Sequence, residues 1–188
     1  MENLIGKATD EAHRLMALAV KPGDTVVDAT VGNGFDTEQL ARWVGPAGRV
    51  IGFDVQALAI HATRHRLERA GLADRVELHE AGHETMGDHV PDGLAAAVFN
   101  LGYLPRADKT IVTQPATTVP ALDAAFERLR AGGLLCVVIY TGHNGGAEEA
   151  AAVEAWAQAI PSDAAIVTRM QRVNPQRPAP YLVTVQRR

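Results

Sequence analysis

One cysteine, Cys136, leaves nothing from which to build a disulfide framework or a thiolate metal cluster. It lies inside the apolar run Leu134-Leu135-Cys136-Val137-Val138-Ile139 and reads as a buried core thiol. No apolar stretch reaches bilayer-spanning length. The start Met1-Glu2-Asn3 lacks the pattern of an export signal, so a cytoplasmic location without membrane contact is expected. Positive charge is scarce too: 18 Lys and Arg against 22 Asp and Glu give a net charge of −4. The chain is therefore no polycation, and nucleic-acid contact has to come from a local basic patch. A zinc-protease helix is excluded, because His83-Glu84 is followed by Gly87 where a second histidine would stand, and no metal site is expected. No repeat or low-complexity linker divides the sequence, which suits one domain over residues 1–188.

What is present is the patterning of an α/β protein. With 47% apolar and 21% charged residues the chain has an ordinary globular composition. Ala12, Leu15, Met16 and Ala19 recur at helical spacing and predict a leading helix stopped by Pro22-Gly23. Strands are expected at residues 25–30, 49–54, 75–79, 94–100, 134–140, 165–173 and 181–186. Helices are expected at 36–44 and 56–70, around Val119, Leu122, Phe126 and Leu129 with Gly132-Gly133 as the stop, and at 147–160. Strand–helix alternation gives a parallel sheet with helices on both faces. Residues 174–180 are too few for a crossover helix, so the seventh strand is expected to run antiparallel.

The most informative segment is Asp28-Ala29-Thr30-Val31-Gly32-Asn33-Gly34, which follows the first strand and precedes a helix. Glycines at 32 and 34 permit a sharp turn and let a ligand lie against bare main chain. Asp54, at the end of the second strand, is placed to accept the ribose hydroxyls of an adenosine. The dinucleotide fingerprint G-x-G-x-x-G is not completed, because Thr37 stands where its third glycine would be. Asp28 and Asp36 would repel a pyrophosphate and suit the ammonium and sulfonium of S-adenosylmethionine. The pattern D-x-x-x-G-x-G resembles motif I of class I methyltransferases. The fold expected is then Rossmann-like: a seven-stranded, mostly parallel sheet with an antiparallel last strand.

Ligands of open α/β sheets sit beyond the carboxyl ends of the strands. There the sequence offers Asn100-Leu101-Gly102-Tyr103, Tyr140-Thr141-Gly142-His143 and the proline-rich 174–180 connection. The first resembles the N-P-P-Y box of amino-group methyltransferases, with both prolines replaced. In-line attack on a sulfonium methyl needs a nitrogen lone pair aimed along the C–S bond, with the remaining hydrogens held elsewhere. Asn100 and the Leu101 carbonyl are candidates to hold them, with Tyr103 as the stacking face. An alkyl amine has a free pKa of about 10.4 and must shed a proton before attack. His143 and Asp28 are both candidate proton acceptors.

Taken together with Phe53-Asp54-Val55-Gln56, Gly82-His83-Glu84, Lys109-Thr110-Ile111-Val112-Thr113 and Thr117-Thr118, these segments resemble a family of small bacterial methyltransferases once grouped as rRNA methylases. That family is associated with methylating 5-aminomethyl-2-thiouridine at the tRNA wobble position (the MnmM type). The resemblance implies S-adenosylmethionine contacts from Asn33, Asp36, Asp54, Gln56, Gly82 and His83. It implies methyl transfer to the aminomethyl nitrogen of uridine 34 in a tRNA anticodon stem-loop, and a homodimer. Arg106, Lys109, Arg172 and Arg177 would form a basic rim for phosphates, and Tyr103 and Tyr140 could stack on an anticodon base. An rRNA methyltransferase, a small-molecule amine methyltransferase and a nucleotide- or NAD-linked protein are the alternatives.

Overall fold

The computed structural model describes residues 6–102, 104 and 112–188. Helix α1 (Ala8–Ala19) leads into β1 (Thr25–Asp28), α2 (Phe35–Val44), β2 (Arg49–Asp54), α3 (Ala57–Ala70), β3 (Val76–Glu80) and β4 (Leu94–Leu101). Then come α4 (Pro115–Arg128), β5 (Leu129–Ile139), α5 (Gly146–Ala159), β6 (Ala165–Met170) and β7 (Tyr181–Arg187). The seven strands form one sheet in the order β3-β2-β1-β4-β5-β7-β6. Strands β1 to β5 pair in parallel, and β7 runs antiparallel between β5 and β6. The order reverses between β1 and β4, which opens a crevice at the carboxyl edge.

The inner strands β1, β2, β4, β5 and β7 are buried on both faces, so their apolar runs are nearly continuous, while the edge strands β3 and β6 are more exposed. Val27, Ala97, Phe99, Leu135, Val137 and Ile139 face one way, against α4 and α5. Val26, Ala96, Val98, Leu134, Cys136 and Val138 face the other, against α1, α2 and α3. Cys136 is fully buried, and burial pushes its thiol up to about 12. No helix among the described residues is long and apolar enough to cross a membrane.

Two expectations are corrected. Strand β1 stops at Asp28, before residue 30, because the Asp28 carboxylate accepts the Thr30 N–H at 3.2 Å and bends the chain at once. Helix α4 ends at Arg128, and Gly132-Gly133 is not its stop. Leu129 already pairs with Leu94, and the register then jumps so that Ala96 meets Leu134, leaving the two glycines in a bulge inside β5. No glycine cap is needed, because the Arg187 guanidinium donates to the carbonyls of Phe126 and Leu129 at 2.9 and 2.8 Å.

Candidate active site

The glycine turn is held from three sides. Asp54 Oδ2 accepts the Gly32 N–H and its Oδ1 accepts the Gln56 N–H, both at 2.9 Å. Thr63 Oγ1 donates to the Gly32 carbonyl at 3.1 Å, and Arg66 Nε to the Asn33 carbonyl at 2.8 Å. Gly32 and Gly34 have φ of +54° and +76°. A Cβ on Gly34 would also come within 2.5 Å of Thr63 Oγ1, so neither backbone nor packing admits a side chain there.

Asp28 does not line the cavity above the turn. It is fully buried beneath the turn, where Thr37 Oγ1 donates to its Oδ2 at 2.6 Å. Burial, then the nearby Asp36 carboxylate, raises its pKa from 3.8 to about 7. Thr37, the residue that breaks the dinucleotide fingerprint, is thus the partner that ties this acid to α2. The electrostatic reading of the turn loses one of its two carboxylates: discrimination against a pyrophosphate falls to Asp36 and Asp54.

Above the turn lies a cavity of about 680 Å³, a volume typical of small-molecule sites. Its walls bring together Gly32, Asn33, Asp36, Asp54, Gln56 and Gly82, along with His83, Asn100 and Tyr140. Asp54 is half-buried, and burial raises its pKa against the pull of the Gln56 and Gly32 N–H groups. Those two N–H groups leave each oxygen a further lone pair. His83 Nδ1 donates to the Ala29 carbonyl at 3.2 Å, and burial lowers its pKa, so its Nε2 is an acceptor at neutral pH.

Asn100 is fixed twice. Its N–H donates to Thr30 Oγ1 at 2.7 Å and its Nδ2 donates to Asp36 Oδ2 at 2.6 Å. A carboxylate only accepts, so Asp36 dictates which end of the amide faces it and leaves the Asn100 amide oxygen on the other side. The second Asp36 oxygen accepts from His13 Nε2 on α1 at 2.7 Å. This hydrogen bond is the main reason the His13 pKa is raised.

At the ends of β4 and β5, Tyr140 is partly exposed, and burial followed by the Asp36 charge raises its pKa, so it stays a neutral phenol. His143 lies outside the cavity wall, between Gly102 and Gly146, with Nδ1 2.9 Å from the Asn144 carbonyl. Arg172 and Arg177 are exposed on the β6–β7 connection, at the same edge. Tyr103, Arg106 and Lys109 lie outside the described residues.

Sequence reasoning passed over several groups. His13, Thr63 and Arg66 belong to no local motif and meet their partners across the fold, and Thr30, inside the glycine-turn segment, does the same with Asn100. Glu149 is buried on α5 and accepts from Thr113 and Thr118 at 2.7 and 2.6 Å. It ties one threonine from each of the two threonine-bearing segments singled out in the sequence, Thr113 and Thr118, to α5, and Thr118 Oγ1 in turn lies 3.5 Å from His83 Nε2. Among the described residues no cluster of metal-ligating side chains occurs.

The chain is similar to known proteins along almost its whole length. A family model described as "Putative rRNA methylase" matches residues 50–186. A chloroplastic tRNA (mnm(5)s(2)U34)-methyltransferase of Arabidopsis thaliana is 41% identical over 94% of this chain and 68% of that protein. A crystal structure of a "putative rRNA-methylase" from Clostridium thermocellum superposes with a TM-score of 0.96 at 42% identity, covering 98% of this chain and 100% of that one. A Streptococcus mutans "putative methyltransferase" in complex with SAH gives 0.90 at 34%, over 98% and 99% of the two chains. The sheet order with its reversed β7 is the class I S-adenosylmethionine-dependent methyltransferase architecture. By the match over residues 50–186 and the 41% identity to the Arabidopsis relative, this chain belongs to the rRNA-methylase family that its motifs resemble.

Proposed function

We propose that this chain methylates the exocyclic aminomethyl nitrogen of uridine 34, with or without 2-thiolation, in tRNA, using S-adenosylmethionine. The observation that carries the reading is the orientation of Asn100: with Asp36 holding its amide nitrogen, its amide oxygen is left to accept an amine N–H at the end of β4. The name of the Arabidopsis relative supports the substrate, and the SAH complex of the Streptococcus mutans relative supports the cofactor.

The residues present fit that cofactor. Asp54, clamped by two backbone N–H groups, offers both oxygens to a ribose diol. Asn33, Gln56, Gly82 and His83 line the same cavity, and Asp36 supplies negative charge for the ammonium and sulfonium. When bound, the cofactor supplies an electrophilic methyl group on sulfur.

The protein's part is to present a neutral, aimed amine. A partly dry pocket disfavours the ammonium form of the substrate, because desolvation penalises charge. Asn100 and the Leu101 carbonyl accept the remaining N–H groups and turn the lone pair toward the methyl. Of the two candidate proton acceptors, Asp28 is sealed under the turn, which favours His143 at the β4–β5 edge. Tyr140 offers a neutral ring for a base to stack on, while Arg172 and Arg177 give an acidic protein a basic rim at that edge.

Methyl transfer from radiolabelled cofactor tests the substrate. Label is expected in tRNA bearing the aminomethyl group and not in the same tRNA lacking it, nor in ribosomal RNA. Equal labelling of tRNA without the group would overturn the substrate assignment, and preferential labelling of ribosomal RNA would favour the literal family description.

A further inference from the structure

We propose that His13 is a positioning residue of the methyl-acceptor site, acting through Asp36 on Asn100. This rests on the reading of Asn100 as the group that holds the amine. His13 Nε2 donates to Asp36 Oδ1 at 2.7 Å, and Asn100 Nδ2 donates to Asp36 Oδ2 at 2.6 Å. One carboxylate therefore spans two donors from different parts of the fold, α1 and β4, and its plane is set by both.

Asp36 alone could not set that plane. Its side chain leaves the first turn of α2, and rotation about the bond to its carboxyl group is soft. A donor on Oδ1 removes that freedom, so the direction of Oδ2, and with it the Asn100 amide, is defined. His13 is itself held: it lies one helical turn beyond Thr9, which lines the cavity, and next to the buried Ala12. Its ring meets Trp43 edge to face, with centroids 5.9 Å apart at 88°. The Asn100 backbone has an independent anchor in Thr30 Oγ1, so the His13–Asp36 pair governs the side chain specifically. The relay makes α1, a helix outside every cofactor motif, part of the site that aims the nucleophile.

The proposal predicts a loss in turnover without a loss in binding. His13→Phe keeps a ring against Trp43 and removes the donor, while His13→Gln keeps an N–H near the Nε2 position. On aminomethyl-bearing tRNA, His13→Phe is expected to lower kcat about tenfold, with KM for tRNA and affinity for SAH unchanged, and His13→Gln to recover most of that loss. In an Asn100→Ala background the His13→Phe change should cost nothing more. The side-chain amide proton resonances of Asn100 read the same relay without substrate. They should shift in His13→Phe and stay near their wild-type positions in His13→Gln. Equal kcat for the Phe and Gln variants, multiplicative losses with Asn100→Ala, or Asn100 amide resonances indifferent to His13 would each overturn the role of His13. An inactive wild-type protein would instead remove the substrate assignment and leave the resonance measurement to decide on the relay.

Discussion

The turn after β1 and the connection between β6 and β7 leave the same edge of the sheet, yet they are built in opposite ways. In the turn, Asp28, Asp54, Thr63 and Arg66 bond to its main chain or to the helix that follows. The β6–β7 connection turns almost everything outward: residues 171–178 are exposed, and Val173 is 96% exposed. The first loop is finished before any ligand arrives, so little ordering is left to oppose binding of a small cofactor. The second is an exposed loop that carries Arg172 and Arg177, the side chains that the proposed tRNA reading assigns to phosphates.

The sharpest test of the preformed half concerns Asp28. Its folded pKa is raised from 3.8 to about 7, so between those values the folded state holds a proton that the unfolded chain has released. Stability contributed at this site therefore falls as pH rises from about 4 to about 7, by up to a few kcal/mol. Asp28→Asn should abolish that trend, so the difference between the two chemical-denaturation curves should grow with pH across this window. Parallel curves would mean that Asp28 titrates normally. Gly34→Ala breaks the turn itself, combining a left-handed backbone with a clash on Thr63. A loss of about 3 kcal/mol in unfolding free energy is expected from urea melts.

Asn100→Ala should lower kcat about 100-fold while SAH affinity, measured by calorimetry, stays put. Asp54→Ala should do the reverse, weakening SAH binding by about 2 kcal/mol because a doubly anchored acceptor is lost. At the exposed half, Arg177→Glu should raise KM for tRNA only a few-fold and flatten its salt dependence, with SAH binding unaltered. If Arg177→Glu disturbed cofactor binding as much as Asp54→Ala does, the division between the two loops would not hold.

The same contrast explains what the sequence reveals. Strand identity and the reversal of β7 are legible because they rest on local runs and on a 174–180 connection too short to cross the sheet. Most of the cavity wall is legible because Ala29 to Asn33, Asp36, Asp54, Gln56 and Gly82-His83 sit in or just after strand ends, where topology alone brings them together. The position of Asp28 is not legible: a carboxylate at a turn looks the same from the sequence whether it faces a ligand or a threonine nine residues on. The stop of α4 is missed because Arg187, 58 residues beyond Leu129, does the capping that glycine usually does. His13 is missed for the same reason: its partner lies 23 residues away, and its polar side chain on the flank of α1 is ordinary until the fold sets it beside Asp36.

The central claim is that the acceptor atom is an aminomethyl nitrogen held at Asn100. Tandem mass spectrometry of nucleosides, after reaction of aminomethyl-bearing tRNA with a deuteromethyl cofactor, locates the transferred group directly. The account predicts the deuterated methyl on the exocyclic nitrogen of uridine 34, and its slower accumulation by about 100-fold with Asn100→Ala. A label on a ring atom, on a ribose oxygen or on any other nucleoside would contradict it.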